Sequence, residues 1–295
     1  GVSDVLQVGY DLGLSTLKPT RELWAGVGLS VALGGGEVKL LELASAYTAF
    51  ANGGKHVEPM AILKVTDKDG RVLEERPYSA EATKGRQVIS PGEAFIISSI
   101  LSDPKARDIT FGPRSLINVA GRTVAVKTGT TNDRRDNWTI GWTANGTVVA
   151  VWVGNNDNSP MKEVSSGVTG AAPIWRRVIL ADLGNLGDEP FPVPSGIVSL
   201  DVDKISGYPA HDGFDAKQEY FISGTEPTGA DPIHKKVRDC DGGEKEYYFF
   251  KEEDPFGKDG VNKWQEGILN WLKDQADAKY HPPENGGCQR LDVTI

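Results

Sequence analysis

Three closely spaced segments, Arg122–Lys127, Trp138–Thr143 and Thr147–Val153, are rich in β-branched and aromatic residues, and only Ala144-Asn145-Gly146 separates the last two. Asn-Gly accepts the left-handed backbone that closes a tight hairpin, so these two segments are predicted to pair antiparallel. A parallel pair would need a crossover of a dozen residues or more, and there is no room for one. The pattern therefore selects an α+β fold, an antiparallel sheet with helices packed on it, over a doubly wound parallel sheet.

The helices to cover that sheet are legible on both sides of it. Residues 38–51 carry Val38, Leu41, Ala44 or Ser45, and Tyr47 or Thr48 at helical spacing, and stop at Asn52-Gly53-Gly54. Ser90-Pro91-Gly92-Glu93 is a capping box with proline at the first helical position, opening a helix over Ala94–Ser102 that Asp103-Pro104 ends. Pro173–Leu183 reads as a buried helix carrying Ile174, Trp175, Val178 and Ile179. Between the first two lies a hairpin, Ala61–Thr66 and Arg71–Glu75, turning at Asp67-Lys68-Asp69-Gly70. Pro190, Pro192 and Pro194 mark a linker, which divides the chain into residues 1–186 and 187–295. The second part is expected to be a small β-rich extension, with strands at Gly196–Val202, Tyr220–Ile222 and Tyr247–Phe250. A final amphipathic helix runs through Trp264, Ile268, Trp271 and Leu272.

Charge and composition exclude several function classes. The 295 residues carry a net charge of −9 with both signs interleaved, which gives no basic face for nucleic acid. No apolar run reaches the roughly 18–20 residues of a spanning helix, and no signal peptide is visible. His56, His211, His234 and His281 are scattered without a ligand motif, so neither a metal nor a cofactor is expected. Asp201-Val202-Asp203 and Asp67–Gly70 complete no calcium loop. Cys240 and Cys288 could bridge in an oxidising compartment or remain two thiols.

The chemistry concentrates in Lys127-Thr128-Gly129-Thr130-Thr131, where the first strand ends. Lysine makes such a strand electropositive, and threonine hydroxyls can bond a carboxylate. Glycine allows close approach of a ligand to the backbone. An edge strand of this kind can pair with an extended peptide. Arg134 and Arg135 read as a solvated turn. Trp138, Trp142 and Trp152 read as core, whereas Trp264 and Trp271 could pack inward or face a partner.

A series of segments in order resembles the class A penicillin-binding proteins: Gly28–Glu37, Leu43–Tyr47 with Phe50–Gly54, Lys127–Asp133, Asp136–Trp138, Trp152–Asn155 with Asp157–Met161, Ala172–Trp175 and Gly224–Thr228. The resemblance covers roughly residues 1–230. It implies a serine β-lactamase/penicillin-binding transpeptidase-like fold, here incomplete. It also implies acylation of a serine by a peptidoglycan stem peptide ending in D-Ala-D-Ala, with transfer to a neighbouring stem. β-Lactams would be trapped at the same place. Catalytic roles fall on Lys127 and the Thr130 N–H, and substrate binding on Lys127, Thr128, Gly129, Thr130 and Thr131. The whole protein would work on the outer face of the cytoplasmic membrane, anchored by an N-terminal helix and preceded by a glycosyltransferase domain.

The departure from that pattern is large. No S-x-N triplet occurs; Ser3-Asp4-Val5 ends in valine. Three stretches spell S-x-x-K (Ser15–Lys18, Ser102–Lys105 and Ser159–Lys162), and with 17 serines and 19 lysines chance alone supplies about one. A nucleophile should open a helix with its lysine one turn on, and none of the three does so cleanly. The nucleophile serine, its lysine and the S-x-N element are therefore expected to be absent and the chain inactive alone. A non-catalytic scaffold module and a serine β-lactamase-type hydrolase stand as alternatives.

Overall fold

The computed structural model describes residues 1–75, 85–162, 166–238, 243–257 and 260–283, so Cys240 and Cys288 lie outside the described residues. The chain divides into two compact units, Gly1–Gly196 and Ile197–Ile295.

The first unit begins with three helices, α1 (Val2–Asp11), α2 (Arg21–Val27) and α3 (Leu40–Ala51). Leu6, Leu12, Leu14, Leu17, Ala46 and Ala49 form one buried apolar cluster among them. The sequence gives no sign of α1. The glycines before Ser15 suggest a loop, yet Gly9 sits inside the helix, where a Cβ would lie 2.8 Å from the Leu17 Cδ1. The glycine leaves room for the end of the Leu17 side chain against the helix. After α3 come four short strands in antiparallel pairs: β1 (Lys55–His56) with β4 (Arg86–Gln87), and β2 (Lys64–Thr66) with β3 (Val72–Glu75).

Helix α4 (Pro91–Ser102) starts as its capping box dictates. The Glu93 N–H donates to the Ser90 Oγ at 3.2 Å, and the Ser90 N–H donates to the Glu93 Oε2 at 2.6 Å. Ser90→Ala is expected to cost about 1 kcal/mol, read as a lower urea midpoint at unchanged slope. The Ser90 backbone N–H, aided by its hydroxyl, holds the Glu93 carboxyl below its ordinary value. A depressed folded value contributes stability that is present above the unfolded-state pKa and is lost as pH falls through the folded one. Below about pH 5, Glu93→Gln should therefore show a shallower loss of stability than the wild type. Asp103-Pro104 ends α4 but also opens a second helix, α5 (Pro104–Phe111), whose Lys105 N–H is capped by the Asp103 carboxylate at 2.8 Å. Reading Asp-Pro only as a stop overlooked this restart.

The central sheet is three-stranded and antiparallel in the order β5 (Ala125–Thr130), β6 (Asp136–Trp142), β7 (Val148–Gly154). The β6–β7 connection is a three-residue loop with Gly146 at φ +91°, closed by the Thr143 N–H on the Thr147 carbonyl at 3.1 Å. Strand β5 lies three residues further along than expected: Lys127-Thr128-Gly129-Thr130 forms its second half and not the turn beyond it.

Each sheet face has its own cover. Against one face packs α6 (Ala172–Leu183), whose Trp175, Ile179 and Leu183 join Ile117, Val119, Val124 and Val126 in the main core. Gly141 makes room for this helix, since a Cβ there would collide with the six-membered ring of the Trp175 indole. On the other face Trp142 is fully buried, donates its Nε1–H to the Ser98 Oγ of α4 at 3.0 Å, and contacts Tyr47 and Phe50 of α3. Burial there pushes the Tyr47 hydroxyl pKa up.

The second unit holds two antiparallel pairs, β8 (Ile197–Asp203) with β9 (Ala216–Ile222) and β10 (His234–Arg238) with β11 (Glu244–Tyr248), followed by α7 (Lys263–Leu272). Strand β10 was not expected. Its run Lys235-Lys236-Val237-Arg238 leaves little apolar pattern to read. Trp271 meets Phe250 and Tyr280 edge-on at 5.6 and 5.4 Å, whereas Trp264 is half exposed.

Candidate functional site

Strand β5 is an edge strand, and its register fixes what it offers to solvent. The Thr131 N–H donates to the Asp136 carbonyl at 3.1 Å, so the odd-numbered residues of β5 exchange hydrogen bonds with β6. Antiparallel ladders alternate, so the N–H and C=O groups of Val126, Thr128 and Thr130 point away from the sheet. The Thr128 carbonyl indeed accepts from outside the ladder, taking the Lys127 Nζ at 2.6 Å. Lys127 and Thr130 are exposed, and Thr128 and Gly129 half-buried. The edge thus presents two backbone N–H groups at its polar end, with an ammonium beside them. That arrangement can take an extended chain as a further strand and put a carbonyl oxygen against an N–H.

The five predicted residues do not all share this role. Lys127 and the backbone of Thr128–Thr130 line the open edge. The Thr131 hydroxyl is turned inward to its own loop, accepting the Asp136 N–H at 2.8 Å and donating to the Asp136 Oδ2 at 3.1 Å. That bond closes a tight loop in which Asp133 and Arg134 have φ of +58° and +55°. Arg135 donates to the Asn158 carbonyl, which ties the loop to the segment after β7.

One contributor escaped the sequence reading. A single π-helical turn, Gly167–Ala171, lies on the face of the sheet beneath the edge. Its Gly167 N–H donates to the Thr130 Oγ1 at 2.9 Å, and its Gly167 carbonyl accepts from the Thr139 Oγ1 at 2.8 Å. The Thr130 side chain is thereby held from below while its backbone N–H remains free at the edge. A Cβ on Gly167 would lie 3.0 Å from the Thr128 Cβ and the Gly129 and Trp138 carbonyls, so a larger residue would push the turn and the strand apart by a few tenths of an ångström. Next to it the fully buried Asn137 lies against Gly170, with neither amide atom hydrogen-bonded among the described residues. A glycine in a Ser-Gly-Val run was the only signal, and nothing local tied it to Thr130.

The three S-x-x-K serines have other partners. Ser15 opens a 3-10 turn, but its hydroxyl donates to the Glu42 carboxylate at 2.8 Å and accepts from Lys39 at 3.1 Å. Ser102 donates to the Ser99 carbonyl at 3.1 Å at the end of α4. Ser159 donates to Asp157 at 2.7 Å in the loop after β7.

A sequence profile described as the penicillin binding protein transpeptidase domain matches residues 15–179. The chain belongs to this family. A second profile, the penicillin-binding protein 1A C-terminal domain, matches residues 193–236. Among curated relatives, penicillin-binding protein 2D of Bacillus subtilis is 33% identical over 71% of this chain and 30% of its own length. Penicillin-binding protein 1A of Neisseria meningitidis is 36% identical over 58% of this chain and 21% of its own length. The chain therefore spans less than a third of either relative. Among solved structures, penicillin-binding protein 1A from Haemophilus influenzae superposes with a TM-score of 0.63 at 25% identity, covering 78% of this chain and 38% of that one. PonA1 from Mycobacterium tuberculosis in complex with penicillin V gives 0.51 at 25% identity, covering 63% and 51%. The α+β architecture with antiparallel sheets is that of the penicillin-binding transpeptidase domain. Among the described residues no helix is long and apolar enough to cross a membrane.

Proposed function

We propose that this chain supplies the substrate-gripping strand of a peptidoglycan D,D-transpeptidase, a serine acyltransferase whose nucleophile lies on a segment outside it. The observation that carries the reading is the open edge of β5, where the Thr128 and Thr130 N–H groups face solvent beside Lys127. A stem peptide ending in D-Ala-D-Ala pairs its backbone with that edge. The Lys127 ammonium draws the terminal carboxylate, and the Thr130 hydroxyl has its proton free to donate while it accepts from Gly167. Thr131 acts by shaping the loop after the strand. The Thr130 N–H receives the negative charge that grows on the scissile carbonyl oxygen during acylation. A β-lactam, which also presents a strained carbonyl and a carboxylate, uses the same contacts. In the whole protein this surface faces the cell wall, outside the cytoplasmic membrane.

The chain has no S-x-N element, and each S-x-x-K serine is bonded to a group other than its own lysine, so none has the lysine partner the motif requires. We expect no acyl transfer from the chain by itself. Incubation with a fluorescent penicillin followed by denaturing electrophoresis checks this. The expected gel shows no fluorescent band, and a band that survives denaturation would overturn the inactivity.

A further inference from the structure

In the second unit the β8–β9 and β10–β11 hairpins meet through polar side chains that acyl transfer does not use. Asp203 ends β8, and Asp231 stands just before β10. Each bends back on its own turn, with Oδ1 accepting two backbone N–H groups. For Asp203 the donors are Ile205 and Ser206, both at 2.8 Å; for Asp231 they are Ile233 at 2.7 Å and His234 at 3.2 Å. Their Oδ2 atoms lie 2.5 Å and 3.4 Å from the His234 Nδ1, and both carboxylates are 0% exposed. From the β8–β9 loop His211 reaches across to the other hairpin. Its Nε2 is 3.1 Å from the Asp231 Oδ2, and its Nδ1 is 3.0 Å from the Asp212 Oδ2. Lys236 of β10 reaches back, donating its Nζ–H to the Asp212 carbonyl at 2.6 Å.

Two carboxylates buried together demand positive charge. His234 serves them with one proton, which its Nδ1 shares between the two Oδ2 atoms. Its Nε2 is buried between Phe214, stacked at 4.7 Å, and Tyr248, edge-on at 4.4 Å, with no hydrogen-bond partner among the described residues. A second proton on that ring would have no acceptor. His211 is built the other way. Both of its nitrogens face carboxylate oxygens, and only an imidazolium donates to both at once. A neutral ring sets one lone pair against a carboxylate, and that contact is repulsive. Asp212 in its own loop, Asp203 at the end of β8 and Asp231 before β10 favour the charge, and Lys236 of β10 opposes it. His234 stands beyond Asp231, with Tyr248 of β11 behind it. The His211 side chain is 29% exposed, so its proton exchanges with solvent.

We propose that His211 is a proton-operated clasp between the two hairpins, closed as an imidazolium that bridges Asp212 and Asp231 and opened when the ring loses a proton. Bonds from Asp212 and Asp231 raise the His211 pKa above that of an ordinary histidine. Such a group stabilises the fold in full below its unfolded-state pKa, and the contribution disappears as pH rises through the folded one. The carboxylates run in the opposite sense. Burial pushes Asp203 and Asp231 up, but their backbone donors and the histidines outweigh it and hold both low, and the His211 bond lowers Asp212. Their contribution is complete above the unfolded-state value and is lost only in stronger acid. The clasp is therefore tightest between about pH 4 and 6.5 and opens on the alkaline side. This inference is independent of the reading of β5, which lies in the other unit.

The test uses the whole 295-residue chain with Cys240→Ser and Cys288→Ser, so that no thiol titrates in the same range. Histidine ring resonances followed by NMR from pH 5 to 9 give the protonation of His211, and the His234 and Tyr248 resonances follow melting of the second unit. The expected result is that His211 titrates above about 6.5 and that both its nitrogens carry protons at pH 6. The second unit should melt at least about 4 °C lower at pH 9 than at pH 6. Asp212→Asn should lower the His211 titration, and asparagine tolerates the φ of +47° at that position. His211→Gln, neutral at every pH, should lose more than half of the melting difference. A His211 that titrates at or below about 6.5, or a His211→Gln chain that keeps more than half of the difference, would overturn the proposal. If His211→Gln fails to fold, the titrations of the parent and of Asp212→Asn decide it.

Discussion

Trp175→Ala is expected to lower the stability of the first unit by about 3–5 kcal/mol, more than the loss of any one aliphatic side chain in the same core. The indole is completely buried, lies over Gly141 on the sheet, and belongs to the cluster that joins α6 to Val126 of β5 and to Val149 and Val151 of β7. Removing it opens a cavity between helix and sheet that neither can close, because the sheet is pinned on its other face by Trp142 against α3 and α4. Trp175→Phe is the informative contrast. The indole Nε1–H has no hydrogen-bond partner among the described residues, so phenylalanine gives up volume but also an unpaired buried donor. Its cost should stay below about 2 kcal/mol. Urea unfolding followed by circular dichroism reads both midpoints. A loss below about 1 kcal/mol for Trp175→Ala would mean that α6 does not anchor the sheet.

The contrast between what the sequence displays and what it hides follows the range of the interactions. The β6–β7 hairpin and the capping box of α4 are written in neighbouring residues, Asn145-Gly146 and Ser90 with Glu93, and both appear where local chemistry puts them. The run Lys127–Thr130 was legible for the same reason, being contiguous, although its strand was placed too early. Polar residues at an edge weaken the apolar pattern by which strands are recognised. Elements whose signal is tertiary were missed. Helix α1 contains Gly9, a residue poor for helix propensity, and the Leu17 side chain that packs against it comes from beyond the helix. Helix α5 begins at a proline that first reads as a terminator. The support beneath Thr130 comes from Gly167, and the convergence of Asp203 and His211 on Asp231 and His234 needs three separate turns to meet. No local motif encodes such meetings, because hydrophobic collapse and β-pairing decide them.

The second large effect concerns the Thr130 N–H and is expected in a longer protein that carries this chain behind S-x-x-K and S-x-N elements. Proline at 130 removes one hydrogen-bond donor, and the ladder locates that donor on the solvent side of an edge strand, where proline is tolerated. Thr130→Pro should therefore leave the sheet folded and lower the rate of acylation by penicillin about 10²–10³-fold, the usual loss for one oxyanion donor. Thr130→Ala keeps the N–H and loses only the hydroxyl with its Gly167 contact. Its loss should be far smaller, on the order of tenfold or less, since a single hydrogen bond contributes about 1 kcal/mol. Stopped-flow acylation, with circular dichroism to confirm folding, separates the two. Equal rates for Thr130→Pro and the wild type would show that the growing charge is held elsewhere. Equal losses for the proline and alanine variants would move the role from the backbone to the side chain. Either outcome would remove the open edge of β5 from the chemistry, because what makes that edge useful is a donor aimed outward by the register of the strand and kept there by the glycine turn beneath it.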